Sequence, residues 1–124
     1  MGVKTHRDLD AWRLADQIRQ RVVAVTASAP TSKDFKYCNQ IRDSASSVPA
    51  NVAEGFARKS PRDFARFLSI AKGSLLETQD RILDGAERRY IGEQDAVELM
   101  QLTARCDRVI TRLRAYLWSC TKRN

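Results

Sequence analysis

Four successive stretches of the chain place a mainly apolar stripe at spacings of three and four, strictly alternating in the last three. In the first, Leu9, Trp12, Ala15, Ile18, Val22 and Val25 form one stripe. In the second, the stripe is Cys38, Ile41, Ala45, Val48 and Val52. Phe64, Leu68, Ala71, Leu75, Thr78 and Ile82 make the third, and Leu99, Leu102, Cys106, Val109, Leu113, Tyr116 and Cys120 the fourth. This is the period of an amphipathic helix that buries one side. No stretch alternates residue by residue as a half-buried strand does, and no hairpin turn separates any pair.

Three breaks divide the stretches: Ala29-Pro30-Thr31-Ser32, Lys59-Ser60-Pro61 and Tyr90-Ile91-Gly92. At the second, Ser60 reads as an N-cap. Pro61 takes the first helical position, where its missing N–H costs nothing, and Asp63 puts an acid in the first turn. Short connections between long helices make sequence neighbours antiparallel. The prediction is therefore all-α: a single domain over residues 1–124, folded as an up-down antiparallel four-helix bundle with a heptad-like core. Pro49 lies inside the second helix. It frees the carbonyl of Ala45 and crowds that turn, so a kink or short break is predicted, with Ser44, Ser46 and Ser47 close enough to serve the freed groups.

Size agrees with one domain. A chain of 124 residues, 43% hydrophobic and 30% charged, buries roughly 65–70% of its unfolded surface and needs no staples. The longest aliphatic run, Val22-Val23-Ala24-Val25, falls far short of the ~20 residues a membrane-spanning helix needs. Lys4, His6 and Arg7 have no apolar region behind them, so no signal peptide is predicted. A cytoplasmic protein with no membrane role is expected. Cys38, Cys106 and Cys120 contain no CxxC pair. On one helix Cys106 and Cys120 stand about 21 Å apart, beyond disulfide reach. All three read as small buried hydrophobes in a reducing compartment.

The charge changes the picture further. There are 22 Lys+Arg against 15 Asp+Glu, a net charge of +7, which permits binding to nucleic acid or another acidic surface. The surplus concentrates at the C-terminal end, where Arg105, Arg108, Arg112, Arg114, Lys122 and Arg123 face one acid, Asp107. Arg105, Arg108, Arg112 and Arg114 are the candidate nucleic-acid-binding residues. Two other roles fit the same positions: solubility with complementation of a helix C-terminus, and salt bridges to another subunit. Only Tyr116 and Trp118 accompany them as aromatics, so base stacking is weakly supported.

Little points to catalysis or metal. The sole histidine, His6, stands ahead of the first helix in a segment expected to fray. That removes the Glu-x-x-His pairs of di-iron bundles and a His-ligated zinc site. There is no phosphate-binding loop. Glu54 and Glu77 are the only carboxylates worth weighing as an acid and a base, and nothing selects either for the task. The expectation is no enzyme, no metal and no cofactor.

Two helix faces are unusually patterned. Asn51, Glu54 and Arg58 share one face, with Glu54 and Arg58 at ion-pair spacing. Arg66, Ile70, Gly73 and Glu77 share another. A glycine in mid-helix costs about 1 kcal/mol against alanine, so Gly73-Ser74 predicts close approach of a neighbouring helix. These faces read either as a polar layer that fixes register within the bundle or as a subunit interface. Glu77, Asp80, Asp84 and Glu87 form an acidic stripe, partly neutralised by Arg81 and Arg88. It reads as a solvated face or as a surface that meets basic groups of a second copy.

A family resemblance rests on these residues: Leu9-Asp10-Ala11-Trp12, Gln40-Ile41-Arg42, Ser47-Val48-Pro49-Ala50-Asn51-Val52-Ala53-Glu54-Gly55, Phe64, Phe67-Leu68, and Ile70-Ala71-Lys72-Gly73-Ser74 to Glu77. From about Asp8 to Leu117 the chain resembles the bacterial four-helix-bundle proteins encoded in intervening sequences of large-subunit ribosomal RNA genes. The resemblance implies a cytosolic bundle that assembles as a ring-like homopentamer, with no assigned activity. It also extends to a related branch, the accessory variability determinant of diversity-generating retroelements. That likeness implies nucleic-acid binding on a basic surface and a reverse transcriptase as partner. Pro49, Asn51, Glu54, Gly55, Arg58, Gly73, Ser74 and Glu77 are the structural or interface residues it marks. Asp43 departs from it, standing where relatives often carry a second basic residue. The combined expectation is a non-enzymatic homo-oligomeric bundle that binds RNA or DNA. The alternative is a protein-interaction adaptor with no nucleic-acid role.

Overall fold

A computed structural model describes residues 2–121. Four helices carry the fold: α1 (Asp10–Val25), α2 (Phe35–Ala57), α3 (Pro61–Glu87) and α4 (Glu93–Thr121). Short 3-10 turns at His6–Asp8 and Thr31–Lys33 precede α1 and α2. Helices α2 and α3 both start at a side-chain cap, the one on α3 being the expected Ser60. The Asp34 carboxylate accepts from Tyr37 N at 3.1 Å, and Ser60 Oγ accepts from Asp63 N at 3.3 Å, with Pro61 following. Each helix packs on its sequence neighbour and α1 closes the square against α4. Among the described residues there is no strand, and the fold is the expected all-α four-helix bundle.

The core is a continuous column. Ile18, Ile41, Leu68, Leu75, Ile82, Leu99 and Ile110 are fully buried in it, each stabilising the fold by roughly 1.5–3 kcal/mol relative to an exposed side chain. The stripes predicted for α1, α2 and α3 face this column. The stripe predicted for α4 is displaced. Its central line is Leu99, Thr103, Cys106, Ile110 and Leu117, while Leu102, Val109 and Leu113 pack at its edge and Tyr116 is exposed. An apolar-only reading passes over Thr103, which is buried because its hydroxyl has partners: it accepts from Gln79 Nε2 at 3.0 Å and donates to the Met100 carbonyl at 2.8 Å. Cys38 and Cys106 are buried as expected, whereas Cys120 is only half-buried.

Three local expectations change. Helix α2 continues through Pro49, which is buried, so the chain does not break there. The nearby serines do other work: Ser44 donates to the Ile41 carbonyl, Ser47 accepts from Asn51 and Ser74, and Ser46 is exposed. The segment before α1 is held down rather than frayed. Thr5 and Asp8 form a reciprocal capping box, and His6 packs edge-on to Trp12 with ring centroids 5.3 Å apart. Gly73 does not admit a neighbouring helix, since a Cβ built on it meets no atom within 4 Å. Close approach occurs instead at Gly55, where a Cβ would stand 2.7 Å from Phe64 Cδ1 and 2.8 Å from Phe67 Cβ.

Candidate interaction surfaces

The motif residues of α2 and α3 resolve into an architectural layer and an exposed face. Between the helices, Ser74 Oγ donates to Ser47 Oγ at 2.8 Å, and Asn51 Nδ2 donates to the Ser47 carbonyl and hydroxyl at 2.8 and 3.0 Å. One turn on, Thr78 Oγ1 donates to the Ser74 carbonyl at 2.8 Å and lies 3.0 Å from Ser44 Oγ. Small hydroxyls can meet this way only when two helices lie close at a fixed register. Pro49 and Gly55 are buried on the same helix. At the α2–α3 turn, Arg58 pairs with Glu54 at 3.1 Å and lies over the Phe67 ring, 4.9 Å from its centroid. Arg42, from the same motif region, donates through Nε to Thr26 Oγ1 at 3.0 Å and through Nη2 to the Thr26 carbonyl at 3.1 Å, closing the end of α1.

Neither carboxylate weighed for catalysis stands alone. Glu54 holds Arg58, and Glu77 lies 3.9 Å from Arg81, both carboxylates being about half exposed. Gly73 and Glu77 sit outside the architectural layer, on the open α3–α4 side with Leu76, Asp80 and Leu83.

The four candidate arginines do not form one cluster. Arg105, Arg108 and Arg112 are exposed along the outer face of α4, and among the described residues no carboxylate lies within 4.0 Å of them. Arg114 points to the other flank, where Nη1 donates to Ser69 Oγ of α3 at 3.2 Å. Lys122 and Arg123 lie outside the described residues. The last described turn of α4 carries no basic side chain, so the three exposed arginines are not helix-end groups. Arg13 of α1 faces Arg105 across a cleft of about 440 Å³ lined also by Asp10, Gln17 and Val109, with Arg13 itself 3.8 Å from the Asp10 carboxylate and donating through Nε to the Arg7 carbonyl at 2.9 Å. The sequence reading missed Arg13; its cue is the polar run Asp10, Arg13, Gln17 on the edge of α1. Next along that face, Arg21 is neutralised, 3.0 Å from Glu98 and 3.7 Å from Asp95. Hydrogen bonds from Gln94 and then Arg21 hold the Glu98 carboxyl below its ordinary range.

A second basic group, also missed, lines a cleft of about 400 Å³ between α2 and α3: Lys36, Arg81 and Arg88 with Asp34, Tyr37 and Gln40. Here Tyr37 donates its hydroxyl to the Arg81 carbonyl at 2.7 Å, and Tyr90 donates to Asp34 Oδ2 at 2.7 Å. The Tyr37 backbone N–H and then the Tyr90 hydroxyl hold the Asp34 carboxyl low, with Arg88 contributing from 3.6 Å. Arg81 Nε is buried without a hydrogen-bond partner. Among the described residues no three His, Cys, Asp or Glu side chains converge as a metal-binding group.

Residues 7–112 match the profile of the 23S rRNA-intervening sequence protein family. The chain belongs to this family. The match spans all of α1, α2 and α3 and most of α4, so it includes the hydroxyl layer, the Gly55 contact and the three outward arginines. No curated protein matches the chain. No helix among the described residues is long and apolar enough to cross a membrane. For a member of this family, then, the sequence motif from Ser47 to Ser74 is chiefly the device that sets α2 against α3.

Proposed function

We propose that this family member is a non-enzymatic, self-associating bundle that binds RNA or DNA through phosphate contacts from Arg105, Arg108 and Arg112. The observation that carries this reading is the exposure of three arginines without carboxylate partners on one helix face. Arginine left unpaired in this way keeps its planar donor fork available, which suits phosphate. The net charge of +7 favours approach of a polyanion. The family's name includes 23S rRNA, so structured RNA is the first probe. Sparse aromatic surface argues for backbone contacts rather than base readout.

Filter binding of a structured RNA across a salt series tests it. Retention at low salt is expected, with log affinity falling against log salt at a slope of about −3 per subunit if each arginine engages one phosphate. Reversal of Arg105, Arg108 and Arg112 to Glu abolishes retention while circular dichroism and sedimentation stay unchanged. Absence of retention at low salt overturns the reading. A reversal variant that instead falls apart into monomers favours the adaptor reading, in which these arginines hold protein contacts.

A further inference from the structure

Along the α3–α4 side runs an open trough. Its lower part is lined by Gly73, Leu76, Leu83 and Met100, and its upper part by Leu83, Ala86, Ile91, Ala96, Val97 and Met100, with a volume of about 940 Å³ in the upper part alone. Its apolar wall is conspicuously exposed: Leu76 by 67%, Leu83 by 52% and Val97 by 47%. Side chains of this kind grouped on one surface mark a contact site more often than scattered ones do. Glu87 and Glu93 stand at the upper part, with Arg89 as the one cation there, and Glu77 and Asp80 stand at the lower part. Gly73 adds an independent sign. Its mid-helix cost is offset by nothing inside the subunit, because no atom comes within 4 Å of where its Cβ would be.

The chain also carries a matching projection. Phe35, the first residue of α2, is 74% exposed and stands between the exposed Lys33 and Lys36. An exposed phenylalanine flanked by lysines complements an apolar cleft edged by glutamates. The heights agree as well. In an up-down bundle the start of α2 and the end of α3 lie at the same end, so Phe35 and the Leu83–Glu87 region are level. About 18 Å further down each helix, at 1.5 Å per residue, α2 presents Ser46 and Ala50 on its exposed side and α3 presents Gly73. Small residues thus oppose the glycine when the aromatic side chain opposes the cleft.

We infer that Phe35 of one copy seats in the upper trough of the next, between Leu83 and Val97, with Lys33 and Lys36 meeting Glu87 and Glu93. The contact rests on the self-association proposed above and names its surfaces. Two different patches meet, so the contact is heterologous: it repeats from copy to copy and closes into a ring when the rotation permits. It leaves Arg105, Arg108 and Arg112 uncovered, so nucleic-acid binding is a separate question.

Sedimentation velocity on the full chain tests it, with circular dichroism confirming that each variant keeps its helices. All substitutions are at exposed positions. Wild type is expected to assemble. Phe35→Glu, which destroys the projection, and Leu83→Glu, which destroys the cleft, each weaken assembly at least about tenfold, and in a mixture the remaining contact sets the two introduced carboxylates against each other. Mixing the two variants restores one good contact per pair, so equal amounts give a 1:1 dimer and nothing larger. Lys36→Glu and Glu87→Lys each weaken assembly, and together they recover it. A wild-type monomer overturns self-association and this contact together. A wild-type oligomer that Phe35→Glu and Leu83→Glu leave intact overturns this contact alone, as does a mixture of two monomeric variants that does not dimerise.

Discussion

Ser74 Oγ donates to Ser47 Oγ at 2.8 Å across the α2–α3 interface, and the acceptor also receives the Asn51 amide at 3.0 Å. One hydroxyl therefore ties a neighbouring helix and its own helix together. Replacing Ser74 by Ala removes the cross-helix donor, and replacing Ser47 by Ala removes the shared acceptor. Each is expected to cost about 1 kcal/mol in urea unfolding. The double variant should cost less than the sum, because both singles break the same bond. Strict additivity in the cycle overturns the assignment of that bond to stability.

Two glycines of the same motif region have opposite surroundings. Gly55 faces Phe64 and Phe67, so Gly55→Ala forces the α2–α3 turn apart and should destabilise by roughly 1–3 kcal/mol. Gly73 faces open space, so Gly73→Ala should stabilise the isolated subunit by up to about 1 kcal/mol through helix propensity. Thermal unfolding in a Phe35→Glu background, where the proposed contact is absent, reads the second effect alone. A loss of stability there means Gly73 has an intramolecular role that its surroundings do not reveal.

Helix number, order and the caps at Ser60 and Pro61 were legible because each rests on local rules: apolar period, N-cap chemistry and the fixed φ of proline. The inner faces of α1, α2 and α3 were legible for the same reason. The centre of α4 was not, because Thr103 carries no apolar signal and owes its burial to Gln79 on another helix. The same limit applies to the surfaces. Period shows that Arg105, Arg108 and Arg112 lie together, but the partner of Arg114 is Ser69, far away in sequence. Gly73 was expected to admit a helix because the cost of a glycine is local, while what repays it is tertiary or lies in another copy.

The end of α3 shows another stop that propensity alone does not announce. Arg89 adopts φ 62°, Tyr90 N donates to the Gly85 carbonyl at 2.8 Å, and Arg89 N donates to the Ala86 carbonyl at 3.1 Å. This is a Schellman cap with arginine in the left-handed position that glycine usually fills. The left-handed region costs a non-glycine residue about 1 kcal/mol. Arg89→Gly is therefore expected to raise stability by about 0.5–1 kcal/mol, read as a higher urea midpoint at unchanged m-value. A lower midpoint means that the arginine side chain contributes more than its backbone costs.

Tyr37 gives the fold a defined alkaline limit. Burial pushes its phenol up to about 12, and the nearby Asp84 charge acts in the same direction. The folded state therefore holds this proton more tightly than the unfolded chain, whose phenol ionises near about 10. Its contribution is complete below pH 10 and is lost as pH rises from 10 towards 12. Burial also pushes the Cys106 thiol up to about 12, so that group begins to subtract stability earlier, from pH 9 or so. Tyr37→Phe should cost about 1 kcal/mol at neutral pH by removing the bond to the Arg81 carbonyl. The same variant should flatten the decline between pH 10 and 12, leaving mainly the part due to Cys106. Urea unfolding at pH 7, 9, 10 and 11 separates the two effects. A Tyr37→Phe variant whose stability falls as steeply as wild type above pH 10 shows that the phenol is not the group being titrated.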